Sequence, residues 1–258
     1  MMTDAALSVL PQDGLWRVTA LIRWRAVRDA TTADVQMDDV LVPAIVDALK
    51  DEPRLVRLVV DRPPAVLDPA IAGMFPPLFD AMIEFWFANA VDAGAVMARI
   101  GGNDAVRAAA DAVIDRAHSV VWLAQVFPIK PEQGQSRVKF LAGGDAADGW
   151  AIGDAQAYWR DVHPAVARTA PSVWTPLTRY VQFHGGPAPM EALADVFGTW
   201  RQVPMCAEMG FADEHDFISN YSNEEYRKIV RPDEEKFSRP GEALSFVSGA
   251  ERVILARN

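Results

Sequence analysis

The chain has a single cysteine, Cys206, which rules out an internal disulfide and any thiolate cage for a metal. Basic residues are scarce beside acidic ones, 25 against 35, and the formal charge of -10 sets up a field that repels phosphate backbones and anionic bilayers. Nucleic acid is therefore not expected as a partner. Long apolar runs are missing too. The longest, Phe79 to Ala98, is broken by Asp80, Glu84, Asn89 and Asp92, and each charge near a bilayer centre costs about 3 kcal/mol, so no membrane span is expected. Met1 to Gly14 is acidic and polar where a secretory leader needs a basic start and an apolar centre. Together with the lone cysteine this predicts a cytoplasmic protein. Gly101-Gly102 and Gly143-Gly144 lack the GxGxxG or P-loop context that cradles phosphate, so no nucleotide cofactor is indicated. No metal site is expected either, because no two histidines stand four apart and no CxxC occurs.

What is present is ordinary globular composition, 50% hydrophobic and 23% charged over 258 residues, which predicts a chain folded throughout. From Trp16 to Trp24 the residues Trp16, Val18, Ala20, Ile22 and Trp24 alternate with Arg17, Thr19 and Arg23, the period of a strand. Asp38 and Asp39 then lead a helical spacing through Leu41, Ala44, Ile45, Ala48 and Leu49. Arg54 to Val60 reads as a strand stopped by Pro63 and Pro64, and a long loop runs to Pro77. Leu78 to Phe87 is a strand, Asn89 to Arg99 and Asn103 to Arg116 are helices, and Ser119 to Phe127 is a strand. The order is βαββαβ with an extra helix.

Lys130 to Gln135, KPEQGQ, is the linker candidate, and the pattern restarts beyond it. Arg137 to Ala142 is a strand, Gly143 to Gly149 a glycine-rich turn, Asp154 to Ala170 a helix, Thr178 to His184 and Met205 to Phe211 strands, Asp213 to Asn220 and Glu224 to Val230 short helices, and Ala243 to Ala256 a last strand bent at Gly249. Two residue-level echoes accompany the repeated order: Glu84 and Phe87 match Glu208 and Phe211, and the strand from Arg57 matches that from Arg179. The expectation is an α+β fold of two ferredoxin-like units, a degenerate one over residues 1–130 and a second over 136–258, forming an intrachain pseudo-symmetric α/β barrel. Its centre would hold the apolar faces of Trp16 to Trp24 and of Arg137 to Ala142. Ligand sites would lie between a sheet and its own helices.

Four features stand in order in the second half. They are Tyr158, Trp159, Asp161 and His163 on one helix; Arg179, Tyr180, Gln182 and His184 on a strand; Glu208 and Phe211 on another; and Asp233 with Phe237. In these features, over about residues 136 to 256, the chain resembles the EthD family of dimeric α/β barrels. The first half retains mainly the Glu84 to Phe87 strand, so no active cleft is expected there. The resemblance implies cofactor-free lyase or isomerase chemistry on aromatic or polyketide-like molecules, with histidine and tyrosine as acid and base.

Trp159 and His163, four apart, share a helix face, and Pro164 disfavours helical geometry at His163. Strand alternation puts Tyr180, Gln182 and His184 on one face. If the two faces meet, both histidines converge on one cavity, where a pair titrating near neutrality can remove and return protons. The expected function is a cofactor-independent lyase, decarboxylase or dehydratase, on a phenolic or other conjugated substrate. His163 would act as base, His184 as acid or oxyanion stabiliser, Tyr180 as donor to a substrate oxygen, and Asp161 as the group that fixes a tautomer. Tyr158, Trp159, Gln182 and Glu208 complete the expected substrate-binding set, Glu208 with a structural role as its alternative. His118 and His215 read as surface or capping residues, Trp86, Trp122 and Trp174 as core, and Cys206 as an inert buried thiol. Two further readings are a non-catalytic binding or accessory protein, and a haem-associated or oxygenase-type barrel. The chain would act on a small molecule as a monomer or homodimer.

Overall fold

The computed structural model describes residues 14–25, 36–186 and 196–257, apart from the side chains of 240–243. Expectations for the residues before 14 lie outside the described residues. In the first half, β1 (Trp16–Ile22) precedes a π-helical turn (Met37–Leu41) that runs into α1 (Val42–Leu49). β2 (Leu55–Asp61), α2 (Pro69–Met74), β3 (Ala81–Phe87), α3 (Ala90–Gly101), α4 (Asp104–Val113) and β4 (Val120–Lys130) follow. The loop expected up to Pro77 thus holds a short helix, started by the Asp68 side chain accepting from the Ala70 amide.

The second half repeats the order. It comprises β5 (Val138–Ala146), α5 (Ile152–Asp161), α6 (His163–Arg168), α7 (Pro171–Trp174), β6 (Leu177–Gly185), a two-residue β7 (Thr199–Trp200) and β8 (Met205–Phe211). α8 (Glu214–Ser222), a π-helical turn (Tyr226–Val230) into α9 (Arg231–Phe237), β9 (Ser238–Ser248) and β10 (Val253–Ala256) complete it. Two expectations are corrected. Gly143 and Gly144 are not a turn but part of β5, paired with Cys206 and Met205, because a Cβ on Gly144 would lie 3.0 Å from the Arg239 carbonyl oxygen of the strand beyond. The helix expected over Asp154 to Ala170 is two helices, α5 and α6, interrupted just before Pro164, which lacks an amide donor, and α7 follows from Pro171.

The halves share one register. Trp16 opposes Phe87 as Val138 opposes Phe211, and Arg57 opposes Trp86 as Arg179 opposes Gly210, with the same slip after Leu55 and Leu177. The strands form a continuous antiparallel path β10-β2-β3-β1-β4-β6-β8-β5-β9, with β7 off it against β4. The seam between halves is β4 on β6, and β10 crosses back to pair with β2.

Curling of this sheet brings Leu21, Val59, Met82 and Trp86 of the first half against Leu141, Val181, Phe183 and Cys206 of the second, which makes a barrel interior. The expected choice of inner face is reversed. Val18, Ala20 and Ile22 pack outward on Ile45, Val96, Met97 and Val106 of the helices, while Arg17 and Thr19 point inward. Both faces of β1 are buried, so alternation separated them without telling which was central.

The interior is charged as well as apolar. Arg17 Nη1 donates to Glu208 Oε2 at 2.5 Å and lies 3.3 Å from Glu84, and its guanidinium sits 3.3 Å from the centre of the Phe183 ring. Lys139 Nζ contacts Glu84 at 2.5 Å, Asp61 at 2.7 Å and Glu251 at 3.1 Å. Arg179 reaches Glu208 at 2.7 Å, and Arg57 pairs with Glu251. Four cations thus face four carboxylates. Burial opposes the charge on Glu208, yet Lys139, Arg179 and Arg17 hold its carboxyl down at about 2. Glu208 therefore belongs to the barrel interior, which corrects its place in the expected substrate-binding set.

Candidate active site

A cavity of about 620 Å³ lies between the second half's sheet and its helices. Phe140, Ala142, Tyr180, Ala207 and Met209 form its floor, and Trp159, His163, Trp174 and Tyr226 line the helix side. The first half supplies part of the roof. Phe75, just beyond α2, packs its ring 4.4 Å from Phe140 and 5.1 Å from Tyr221, and Met74, Pro76 and Leu78 accompany it. Pockets of this size, mostly apolar with a few convergent polar groups, suit small molecules.

The break between α5 and α6 places His163. Val162 stays in the right-handed helical region but widens to φ -111°, ψ -53°, and His163 restarts the helix with Pro164 behind it, so the imidazole sits at a helix start rather than within a regular turn. The ring is buried, and its Nδ1 lies 2.8 Å from Asp233 Oδ2. Asp233 also accepts from the Tyr158 hydroxyl at 2.8 Å and from Lys236 Nζ at 2.9 Å. Burial would raise the Asp233 carboxyl, but these three hydrogen bonds hold it below its ordinary value. A carboxylate acceptor fixes the proton on Nδ1 and leaves the Nε2 lone pair for the cavity. Burial lowers the His163 pKa against the opposing pull of Asp233, so the ring is neutral at pH 7, the state of a base.

Tyr180 is set by a second chain of hydrogen bonds. Trp159 Nε1 and Gln182 Nε2 both donate to its hydroxyl oxygen, at 2.8 Å and 3.1 Å. An indole N–H and an amide NH₂ can only donate, so the tyrosine oxygen accepts twice and its own hydrogen is left to donate elsewhere. Among the described residues no acceptor takes it, and Tyr180 lines the cavity. Burial raises its pKa despite the two donors, which keeps it a protonated donor at neutral pH. Gln182 is held in this sense from behind: Nε2 also donates to the Trp159 carbonyl at 2.8 Å, and Oε1 lies 3.1 Å from His184 Nε2.

Of the expected site residues, His163, Tyr180 and Trp159 come together at the cavity wall, and Gln182 stands directly behind them. His184 does not reach the cavity. It stacks on Trp159 (5.2 Å, 13°) and packs 4.4 Å from Phe127, and burial with the nearby Arg160 charge pushes its pKa down to about 4. It is thus a neutral donor to Gln182, not the acid expected. Asp161 is exposed and engages Arg160 at 2.8 Å, so Asp233, seventy residues away, takes the tautomer-fixing role instead. Tyr158 supports Asp233 rather than the cavity. His118 and His215 are exposed, and Trp86 and Trp122 are buried in the barrel.

Among the described residues a metal-type grouping, Asp213, His215 and Asp216, occurs only at the exposed start of α8. A haem iron would need an axial side chain, and His163 fits that chemistry, with one nitrogen anchored by a carboxylate and the other on a large cavity. Among the described residues no helix is long and apolar enough to cross a membrane.

This geometry is the ferredoxin-like α/β barrel, and solved structures of low identity share the fold. An anthrone oxidase-like protein superposes with a TM-score of 0.58 at 10% identity, covering 96% of this chain and 98% of that one. A protein assigned as a chlorite dismutase gives 0.54 at 11%, covering 94% and 96%, and a mutant chlorite dismutase from Candidatus Nitrospira defluvii in complex with cyanide gives 0.52 at 9%, covering 96% and 95%. Within that class, residues 148–241, in the second half of the chain, match the EthD domain. No curated protein matches the sequence.

Proposed function

We propose that the chain is a cofactor-independent lyase, a decarboxylase or dehydratase, acting on an aromatic or polyketide-like carbonyl compound. His163 Nε2 removes a proton next to the carbonyl, and Tyr180 donates to the carbonyl oxygen as negative charge gathers there. Trp159 and the aromatic walls pack on the rings of the substrate. The observation that carries this reading is the doubly accepting hydroxyl of Tyr180, whose remaining hydrogen serves the same cavity as the basic nitrogen of His163. The test is mass spectrometry of phenolic acids, aromatic aldols and β-keto compounds incubated with the purified protein. Loss of water or carbon dioxide, abolished in His163→Ala, is expected. Tight binding with no mass change would favour a binding or accessory protein.

The anchoring of His163 by Asp233 favours a second reading, a haem-associated oxidase or oxygenase. His163 would then hold the group, which would supply redox chemistry when bound. Protein purified with a Soret band that shifts in His163→Ala, and products that gain oxygen, would replace the lyase reading.

A further inference from the structure

We propose that Glu234 is the proton donor of this cavity, giving its carboxyl hydrogen to a hydroxyl that leaves the carbon β to a carbonyl, so that the chain eliminates water from uncharged aromatic β-hydroxy ketones. This rests on the lyase reading and names the bond that breaks.

Asp233 and Glu234 are neighbours on α9 with opposite environments. Asp233 turns to His163, Tyr158 and Lys236 and collects three donors. Glu234 lines the cavity and accepts one hydrogen bond, from the Tyr226 hydroxyl to Oε2 at 3.0 Å, with Arg231 Nη1 at 3.8 Å from the same oxygen. Oε1 has no partner among the described residues, so one oxygen is held and the other is free to carry a proton. The groups that act on it are Tyr226, Arg231, Asp233 and Glu235, with Tyr180 and Tyr221 across the cavity. Burial pushes its pKa up to about 7; Tyr226 and Arg231 oppose this, and Asp233 and Glu235 reinforce it. Two carboxyls driven apart in this way are how one site runs acid and base chemistry together.

The choice of an uncharged substrate follows from the cavity's cations. Arg231 Nε is bonded to Glu235 at 2.8 Å and Arg239 Nη1 to Asp148 at 2.8 Å, so both cavity arginines are already paired with carboxylates. A substrate carboxylate would find both of these arginines already engaged, which favours dehydration over decarboxylation.

The step balances. His163 Nε2 takes the α proton, and the C–H pair becomes an enolate whose oxygen accepts from Tyr180. The pair then forms the Cα=Cβ bond as the Cβ–O bond breaks, and the departing oxygen takes the Glu234 proton. A conjugated ketone and water leave, no oxidation state changes overall beyond the elimination, and the imidazolium proton returns through solvent to the Glu234 carboxylate.

The experiment uses the full chain with the aldols of benzaldehyde with acetone and with acetophenone, and measures two rates. Exchange of the α proton in D₂O, by NMR, reports the His163 step, and enone absorbance reports completed elimination. Glu234→Gln, which can still accept from Tyr226, is expected to slow enone formation at least about 100-fold more than it slows exchange. His163→Ala is expected to lose both. In a carboxyl ¹³C titration, the resonance missing from Glu234→Gln should move with a midpoint of about 7. Glu234→Gln with both rates unchanged or equally reduced, or a midpoint near the ordinary 4.5, overturns the assignment while leaving the base reading intact. Wild-type protein that exchanges no α protons overturns the base reading and the assignment with it.

Discussion

The two halves use one register to opposite ends. Matching the paired strands sets Leu58 against Tyr180, Val60 against Gln182, Ile22 against Gly144 and Ile83 against Ala207. In the first half these positions are buried against α1, α3 and α4. In the second half the two side chains pruned to Gly144 and Ala207 leave volume, and Leu58 and Val60 give way to the groups that aim Tyr180. The inner face, by contrast, is kept: Glu84 and Glu208 both engage Arg17. A duplicated scaffold thus needs few changes on its helix-facing side to open a site, provided its charged interior stays matched.

The sharpest way to break this contrast is at His163, which has no counterpart in the first half. His163→Ala should lower turnover by about 100- to 10,000-fold with folding retained, checked by kinetics beside circular dichroism. Next in size, Glu208→Ala and Glu84→Ala should each cost about 3–5 kcal/mol in urea unfolding, because each strands buried cations. Equal losses would support a shared interior; a loss confined to Glu208 would count against it. Ala207→Ile should make the second half resemble the first, gaining about 0.5–2 kcal/mol of stability while weakening ligand binding at least about tenfold by calorimetry. The reverse change, Ile83→Ala, should cost about 2–5 kcal/mol and create no binding. The smallest effect is on pH. His163 must be unprotonated to act and burial lowers its pKa, so turnover should fall as pH drops through a midpoint below 6.5. Asp233→Asn removes the ionic partner that raises that pKa, and should move the midpoint lower still.

Much of the fold was legible because strand alternation and helix starts are local signals. The repeated βαββαβ order, the matched Glu84 and Glu208, and the cleft between the second sheet and its helices all follow from them. Which face of β1 looks inward was not legible, since Arg17 is buried by partners from other strands and alternation carries no depth. At the site, Trp159, His163 and Tyr180 could be found through helix spacing and strand parity. Asp161 misled because it is near His163 in sequence, whereas the partner that binds the ring, Asp233, arrives through tertiary packing. Glu234 was visible only as part of the acidic run after Pro232, and nothing in that run distinguishes the carboxyl with an unbonded oxygen on the cavity from Asp233, held by His163, and Glu235, held by Arg231.

The outer edge of β2 is covered by β10, which the chain makes nearly two hundred residues later, with Arg252 returning its amide to Asp61. While translation is under way, β2 therefore presents an open row of amides and carbonyls, the kind of edge on which nascent chains stick to one another. Its protection until residues 253–256 appear falls to the nascent chain's surroundings.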